Sequence, residues 1–123
     1  MATYLANAFS LTMLGSIELK PTENEYHVLT KKVSIDEIDT ADIISAIGHA
    51  DTANILSSIL GTKIVPNRVS INLTYDDILY VAQYTGPRLP EGTTVLPEGS
   101  NFTFWKVKIG RPCGGDFGAT YYV

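Results

Sequence analysis

The chain has 123 residues, 45% of them hydrophobic and 18% charged, which is enough for one domain with a real core and ordinary for a globular protein. Its net charge of −4 argues against a broad nucleic-acid-binding face but leaves room for a local anion site. No apolar run approaches bilayer length, and a single cysteine, Cys113, excludes an intrachain disulfide framework and favours a reducing compartment.

The first residues, MATYLANAFSLTML, have no basic stretch ahead of their apolar positions and do not read as a secretory signal, so a cytoplasmic protein is expected. Thr3 to Ala8 reads as a short strand whose end delivers Asn7, Phe9 and Ser10. Small polar groups there can touch a ligand or simply cap the next turn. Residues 25–33 (EYHVLTKKV) alternate well enough for a second strand, with His27 inside it as a structural or surface histidine.

Ser34 opens SIDE, a capping-box pattern, and Ile38, Ile43, Ile44 and Ile47 follow at roughly helical spacing up to Gly48. A second helix is predicted from about Ala50 to Leu60, with Ile55, Leu56, Ile59 and Leu60 on one face and Gly61 as its stop. His49 then lies at the hinge of a helix pair. Arg68 to Tyr75 alternates with period two, Asp76–Asp77 make a turn, and ILYVAQY returns as the second arm of a hairpin. TGPRLPEG cannot continue either element, and it holds Arg88 and Glu91 in a loop leaving a strand. NFTFWKVKI closes the sheet. The predicted fold is a single α+β domain, a mixed sheet of about five strands with the helix pair packed on one face. Residues 1–110 form this domain. Residues 111–123 are a Gly/Tyr-rich extension, either packed on it or free to contact a ligand or a second subunit.

For chemistry, His49 is the first residue to consider. A histidine side chain ordinarily titrates close to neutral pH, and here the backbone after a glycine, at the mouth of a helix, places it. It can also serve merely as a helix cap. The chain has no GxxxxGK loop, no GxGxxG and no GxSxG, and its two histidines with one cysteine make no plausible zinc site. Asp36–Glu37 and Asp76–Asp77 occupy a helix start and a turn, where carboxylates are common for local reasons. Arg68, Arg88, Arg111 and the Lys31–Lys32 pair are the cations that could converge on a compact phosphate-bearing ligand. His49, the amides of the following helix, Arg88, Glu91 and the Asn7/Ser10 group suit metal-free cleavage of a ribose phosphodiester. There the substrate's own 2′-hydroxyl attacks phosphorus, and the protein aligns the attack, stabilises charge and protonates the leaving oxygen. No metal or cofactor is expected.

NAFSLTML, SAIGHADTANILSSILGT, the NRV at Asn67–Val69 and RLPEG occur in that order, and together they resemble the viral ring nuclease family, the type III anti-CRISPR proteins of archaeal viruses and phages. The resemblance covers roughly residues 3–92. It implies a C2 homodimer with a pocket across the subunit interface and cleavage of cyclic tetra-adenylate to linear di-adenylates, which suppresses antiviral signalling in the host cytoplasm. It implies that His49 is the general acid, that Arg88 and Glu91 are active-site partners, and that Asn7 and Ser10 contact the ligand. Gly48, Asp51 and Thr52, around the GH–helix junction, and Arg68, in NRV, complete the expected ligand-binding set. Two features depart from the family pattern: the Gly-Pro bend in QYTGPRLPEG, and the tail from Arg111 onward. The alternatives are a non-catalytic sponge for a cyclic nucleotide or a cyclic ADP-ribose-type immune signal, and a regulatory or structural protein of a mobile element that uses only the fold. Neither long nucleic acid nor a membrane is an expected partner.

Overall fold

Leu79, Tyr80, Val81 and Ala82 are consecutive and all buried, so the strand that holds them is covered on both faces. The computed structural model shows what covers it. It describes residues 1–19, 21, 25–89, 91–93, 95–112 and 121–122, with backbone pairing alone for 111–112 and 121–122. The strands are β1 (Thr3–Ala6), β2 (Val28–Val33), β3 (Ile44–Ser45), β4 (Ile78–Thr85) and β5 (Asn101–Ile109), and the α-helix is α1 (Ala50–Leu60). They form a mixed five-stranded sheet in the order β2-β5-β4-β1-β3. Strand β1 runs parallel to both β3 and β4, whereas β5 is antiparallel to β4 and β2. The fold is α+β, as the sequence predicts. Beyond the sheet, Arg111–Pro112 and Tyr121–Tyr122 pair as a separate antiparallel ladder, β6 and β7. The rest of the predicted extension, 113–120 and 123, lies outside the described residues.

On one face, α1 packs Ala53, Ile55 and Leu56 against Leu5, Tyr80, Ala82, Phe102 and Phe104. Ile55 and Leu56 are almost fully buried, worth about 1.5–3 kcal/mol each in transfer free energy. Gly61 ends the helix in the left-handed region (φ 68°), its amide bonded to the Ser57 carbonyl, as the sequence predicts. Among the described residues the opposite face has no α-helix. It is covered by a 3-10 turn (Leu11–Leu14) and by extended chain, which bring Leu14, Ile17, Ile71 and Leu73 onto Ala6, Leu79, Val81, Val107 and Ile109.

The predicted first helix does not form, so among the described residues α1 is the one α-helix and there is no pair. Residues 35–37 make a single 3-10 turn, and Ser34 at its start makes no side-chain cap bond. Asp39 Oδ1 then accepts from the Ala41 amide at 3.0 Å and Asp42 takes φ 57°, which turns the chain into β3. Beyond that turn period two wins over period 3.6, since Ser45 and Ile47 point inward while Ile44 is exposed. β-Branched isoleucines are at home in such a strand.

The predicted hairpin also fails, although its alternation is real: Ile71 and Leu73 are buried and Asn72 and Thr74 exposed. The segment lies over the sheet instead of pairing with β4. Buried Asp77 decides this, because its carboxylate accepts from the amides of Thr74 (3.0 Å) and Ala2 (2.8 Å). Those bonds deliver Ile78 beside β1, where its amide reaches the Ala2 carbonyl at 2.9 Å.

Candidate functional site

Strands β1, β3 and β4 are mutually parallel, so their carboxyl ends open on the same edge of the sheet. In sheets of parallel strands that edge is where ligands bind. Three segments leave it: Asn7 onward from β1, Ala46–His49 from β3, and 86–92 from β4.

The segment from β3 is pinned by residues 65–68. Ser45 Oγ donates to the Val65 carbonyl at 2.6 Å, and Asn67 donates twice, from its side chain to the Ser45 carbonyl and from its backbone to the Ile47 carbonyl, both at 2.7 Å. Arg68 Nε adds a bond to the Gly48 carbonyl at 3.1 Å. A Cβ at Gly48 would come within 3.3 Å of the Arg68 side chain, so the glycine makes this close approach possible. The pinning fixes His49, which enters α1 in extended backbone (φ −107°, ψ 132°) as its N-cap residue. The exposed imidazole makes no cap hydrogen bond. His49 occupies a capping position without doing a cap's work, and the first amides of α1 stay open toward the same edge.

The loop from β4 faces it. Gly86 has φ 141°, and a Cβ there would stand 2.5 Å from Ser100 Cβ, so only glycine fits the bend. The Tyr84 hydroxyl donates to the Pro87 carbonyl, and its ring tilts against Phe102 with centroids 5.4 Å apart. Further on, the Gly92 amide donates to Asp51 Oδ2 at 2.9 Å, tying the loop to the first turn of α1. Arg88 and Glu91 lie between these tethers, both exposed and neither in a side-chain hydrogen bond or ion pair with another described residue. Pro90, between them, lies outside the described residues.

His49, Asp51, Thr52, Tyr84, Arg88 and Glu91 line one open cleft of about 1040 Å³. Tyr84 was not among the sequence-predicted site residues. Its signal was its place near the end of the ILYVAQY strand, two residues before the Gly-Pro bend. Asn67 lay within the NRV motif, but its grip on the approach to His49 is a tertiary fact.

The other predicted site residues stand elsewhere. Asn7 and Ser10 line a second cleft of about 480 Å³, together with Thr12, Ala46, Val69 and Asn72. Ser10 Oγ accepts from the Thr12 amide at 3.4 Å and shares a hydrogen bond with Thr12 Oγ1 at 3.0 Å, so it caps the 3-10 turn. Gly48 and Arg68 lie behind His49 and position it. Lys31 and Lys32 belong to β2, the edge strand on the far side of the sheet, and do not join the cleft. His27 Nε2 lies 3.2 Å from Glu25 Oε1, away from the cleft. Among the described residues, no group of three or more His, Cys, Asp or Glu is placed to hold a metal ion, and no helix is long and apolar enough to cross a membrane.

The STIV B116-like family model matches residues 3–99, a span that contains His49, Arg88 and Glu91 and ends just before β5. The chain belongs to the STIV B116-like family. An uncharacterized protein, ORF116, of Acidianus filamentous virus 1 (isolate United States/Yellowstone) is 29% identical over 98 residues, which cover 80% of this chain and 81% of that protein. B116 of Sulfolobus turreted icosahedral virus has a similar fold, with a TM-score of 0.66 and 26% identity over 88% of this chain and 99% of its own. Both of these family relatives are viral proteins.

Proposed function

We propose that this protein is a ring nuclease, a metal-independent phosphodiesterase that opens a cyclic oligoadenylate messenger, cyclic tetra-adenylate above all, and so suppresses antiviral signalling in the host cytoplasm. The observation that carries the reading is the convergence of His49, Arg88 and Glu91, from distant parts of the chain, on one cleft with their side chains unengaged. A histidine kept only to cap a helix would be bonded to that helix. An arginine kept only for solubility would not need a loop tethered at both ends.

In this reading the ribose 2′-hydroxyl attacks the neighbouring phosphorus, forming the O2′–P bond as the P–O5′ bond breaks. Arg88 grips the non-bridging oxygens with its planar fork, and the open amides of α1 add a second source of positive potential. His49 protonates the departing 5′-oxygen, the proton released from the attacking 2′-hydroxyl passes to solvent water, and Glu91 offers an acceptor to a ribose hydroxyl. The products are linear di-adenylates with 2′,3′-cyclic phosphate ends.

The working form in this proposal is a homodimer with the ligand on its two-fold axis. One protomer's cleft sets the Arg88 cation against the carboxylates of Asp51 and Glu91, a poor balance for a ring of phosphates. A second copy doubles the carboxylates as well, but the two-fold axis sets one Arg88 and one helix N-terminus against each of two opposite phosphates of the ring. It also offers a reason for Asn7 and Ser10 to face a separate cleft in the isolated chain, since a ligand shared between subunits reaches more surface than one cleft provides.

The test is incubation of the purified protein with cyclic tetra-adenylate in excess EDTA, followed by chromatographic separation of the products. Linear di-adenylates with cyclic phosphate ends are expected. A ring depleted from solution but recovered intact after denaturation would make the protein a sponge, and a ring neither depleted nor cut would leave a regulatory or structural protein. A strict magnesium requirement or plain 3′-hydroxyl ends would make water the nucleophile.

A further inference from the structure

The sequence reading groups Asp51 with the ligand contacts, and its carboxylate does line the cleft. That carboxylate accepts the Gly92 amide at 2.9 Å, however, and so joins the first turn of the helix that begins at His49 to the far end of the loop that bears Arg88 and Glu91. As a direct contact for a phosphate ligand, a carboxylate is the wrong sign. As an acceptor in the first turn of α1 it is well placed, because the positive end of the helix stabilises it there. Gly92 has φ 82°, which aims the chain back at α1 in a conformation cheap for glycine alone, and the space a Cβ would fill is empty. The positive φ therefore belongs to the turn and not to a close contact. At the near end of the loop, the Tyr84 hydroxyl on the Pro87 carbonyl and the Gly86 bend against Ser100 set the opposite anchor.

We propose that Asp51 is a positioning residue: its hydrogen bond to the Gly92 amide latches the Arg88–Glu91 loop onto α1 and sets those side chains at their working distance from His49. The effect on turnover rests on the ring-nuclease reading of the cleft, while the latch itself does not. A phosphodiester must meet His49 on its leaving oxygen and Arg88 on its non-bridging oxygens at once. A loop swinging free of α1 loses that simultaneity, even when each side chain is intact. The latch thus acts on the cleavage step more than on capture of the ring, which Arg88 can still grip through a mobile loop.

The test compares Asp51→Ala, which removes the acceptor, with Asp51→Asn, which keeps an oxygen of similar reach without the charge. Amide hydrogen exchange at Gly92, read by NMR on the ligand-free protein, should quicken by roughly tenfold in Asp51→Ala and stay close to wild type in Asp51→Asn. Single-turnover cleavage of cyclic tetra-adenylate should slow by about 10- to 100-fold in Asp51→Ala, with affinity for the ring changed by less than about threefold. Asp51→Asn should recover to within about threefold of wild type. Unchanged exchange at Gly92 in Asp51→Ala overturns the latch. So does an Asp51→Asn variant as slow as Asp51→Ala with altered affinity, which would make the carboxylate a ligand contact. If the wild type leaves the ring uncut, the ring-nuclease reading fails by itself, and exchange at Gly92 still decides the latch.

Discussion

On the helix side of the cleft, His49 is held from behind by Ser45, Asn67 and Arg68, whose bonds to the backbone pin the chain in its approach to α1. On the loop side, Arg88 and Glu91 hang between Tyr84–Pro87 and Asp51–Gly92, exposed along their length. The first wall is built of strand ends and a helix start, the second of a turn that only glycine can make. In the ring-nuclease proposal the two constructions suit different jobs. A proton donor gains from being held still, because a small misplacement costs orders of magnitude in rate. Groups that wrap a phosphate can project from a tethered loop, and loops carried by a rigid scaffold are where such residues are commonly found.

The largest effect that probes this contrast is His49→Ala. It should lower cleavage by about a hundredfold to ten-thousandfold while binding of the ring and the melting temperature stay close to wild type, because the exposed ring makes no hydrogen bond that supports the fold. Activity within a few-fold of wild type, measured by chromatography of the products, would remove the general acid from this wall.

Arg88→Ala should weaken both affinity and turnover, each by about 10- to 100-fold, since a guanidinium–phosphate contact acts in the ground state and the transition state. Glu91→Ala should be milder in both. Titration calorimetry with the ring, beside single-turnover kinetics, separates the effects. A Glu91 change more severe than the Arg88 change would reverse the roles on the loop wall.

Gly86→Ala addresses the loop's construction. With φ 141° and a Cβ 2.5 Å from Ser100, the bend must open, at a cost of about 2–3 kcal/mol. Affinity for the ring should fall with it. The test is urea unfolding alongside binding, and a variant as stable as wild type would show that the bend has a second solution.

Asn67→Ala should cost about 1–2 kcal/mol by leaving the Ser45 carbonyl without its donor, and cleavage should suffer more than affinity because the disturbed wall carries His49. The same pairing of unfolding and kinetics checks it. Equal losses in affinity and cleavage would mean that the helix wall also serves capture.

Much of this was legible in the chain of residues, and the reason is local. The helix at 50–60 is called by apolar spacing and a terminal glycine, both properties of neighbouring residues. NFTFWKVKI is β5 to the residue, because it is rich in aromatic and β-branched residues and Gly110 and the preceding turn bound it. His49, Arg88 and Glu91 could be singled out as types of residue near breaks in regular structure, which is where side chains escape packing.

What the sequence could not decide is who pairs with whom. Ile38, Ile43, Ile44 and Ile47 satisfy a helical period as well as an alternating one. The choice fell to β1, which offers β3 a parallel partner, and to residues 65–68, whose donors and acceptors require an extended chain from Ser45 to Gly48. Arg68–Tyr75 alternates like a hairpin arm, but Asp77 turns β4 away to the side of β1 and leaves that arm to cover the sheet. Residue type and spacing set which segments are apolar on which side. The tertiary structure settled the pairings, because each hydrogen-bonded partner and each covering layer lies far along the chain, and the energies that select them belong to no single segment.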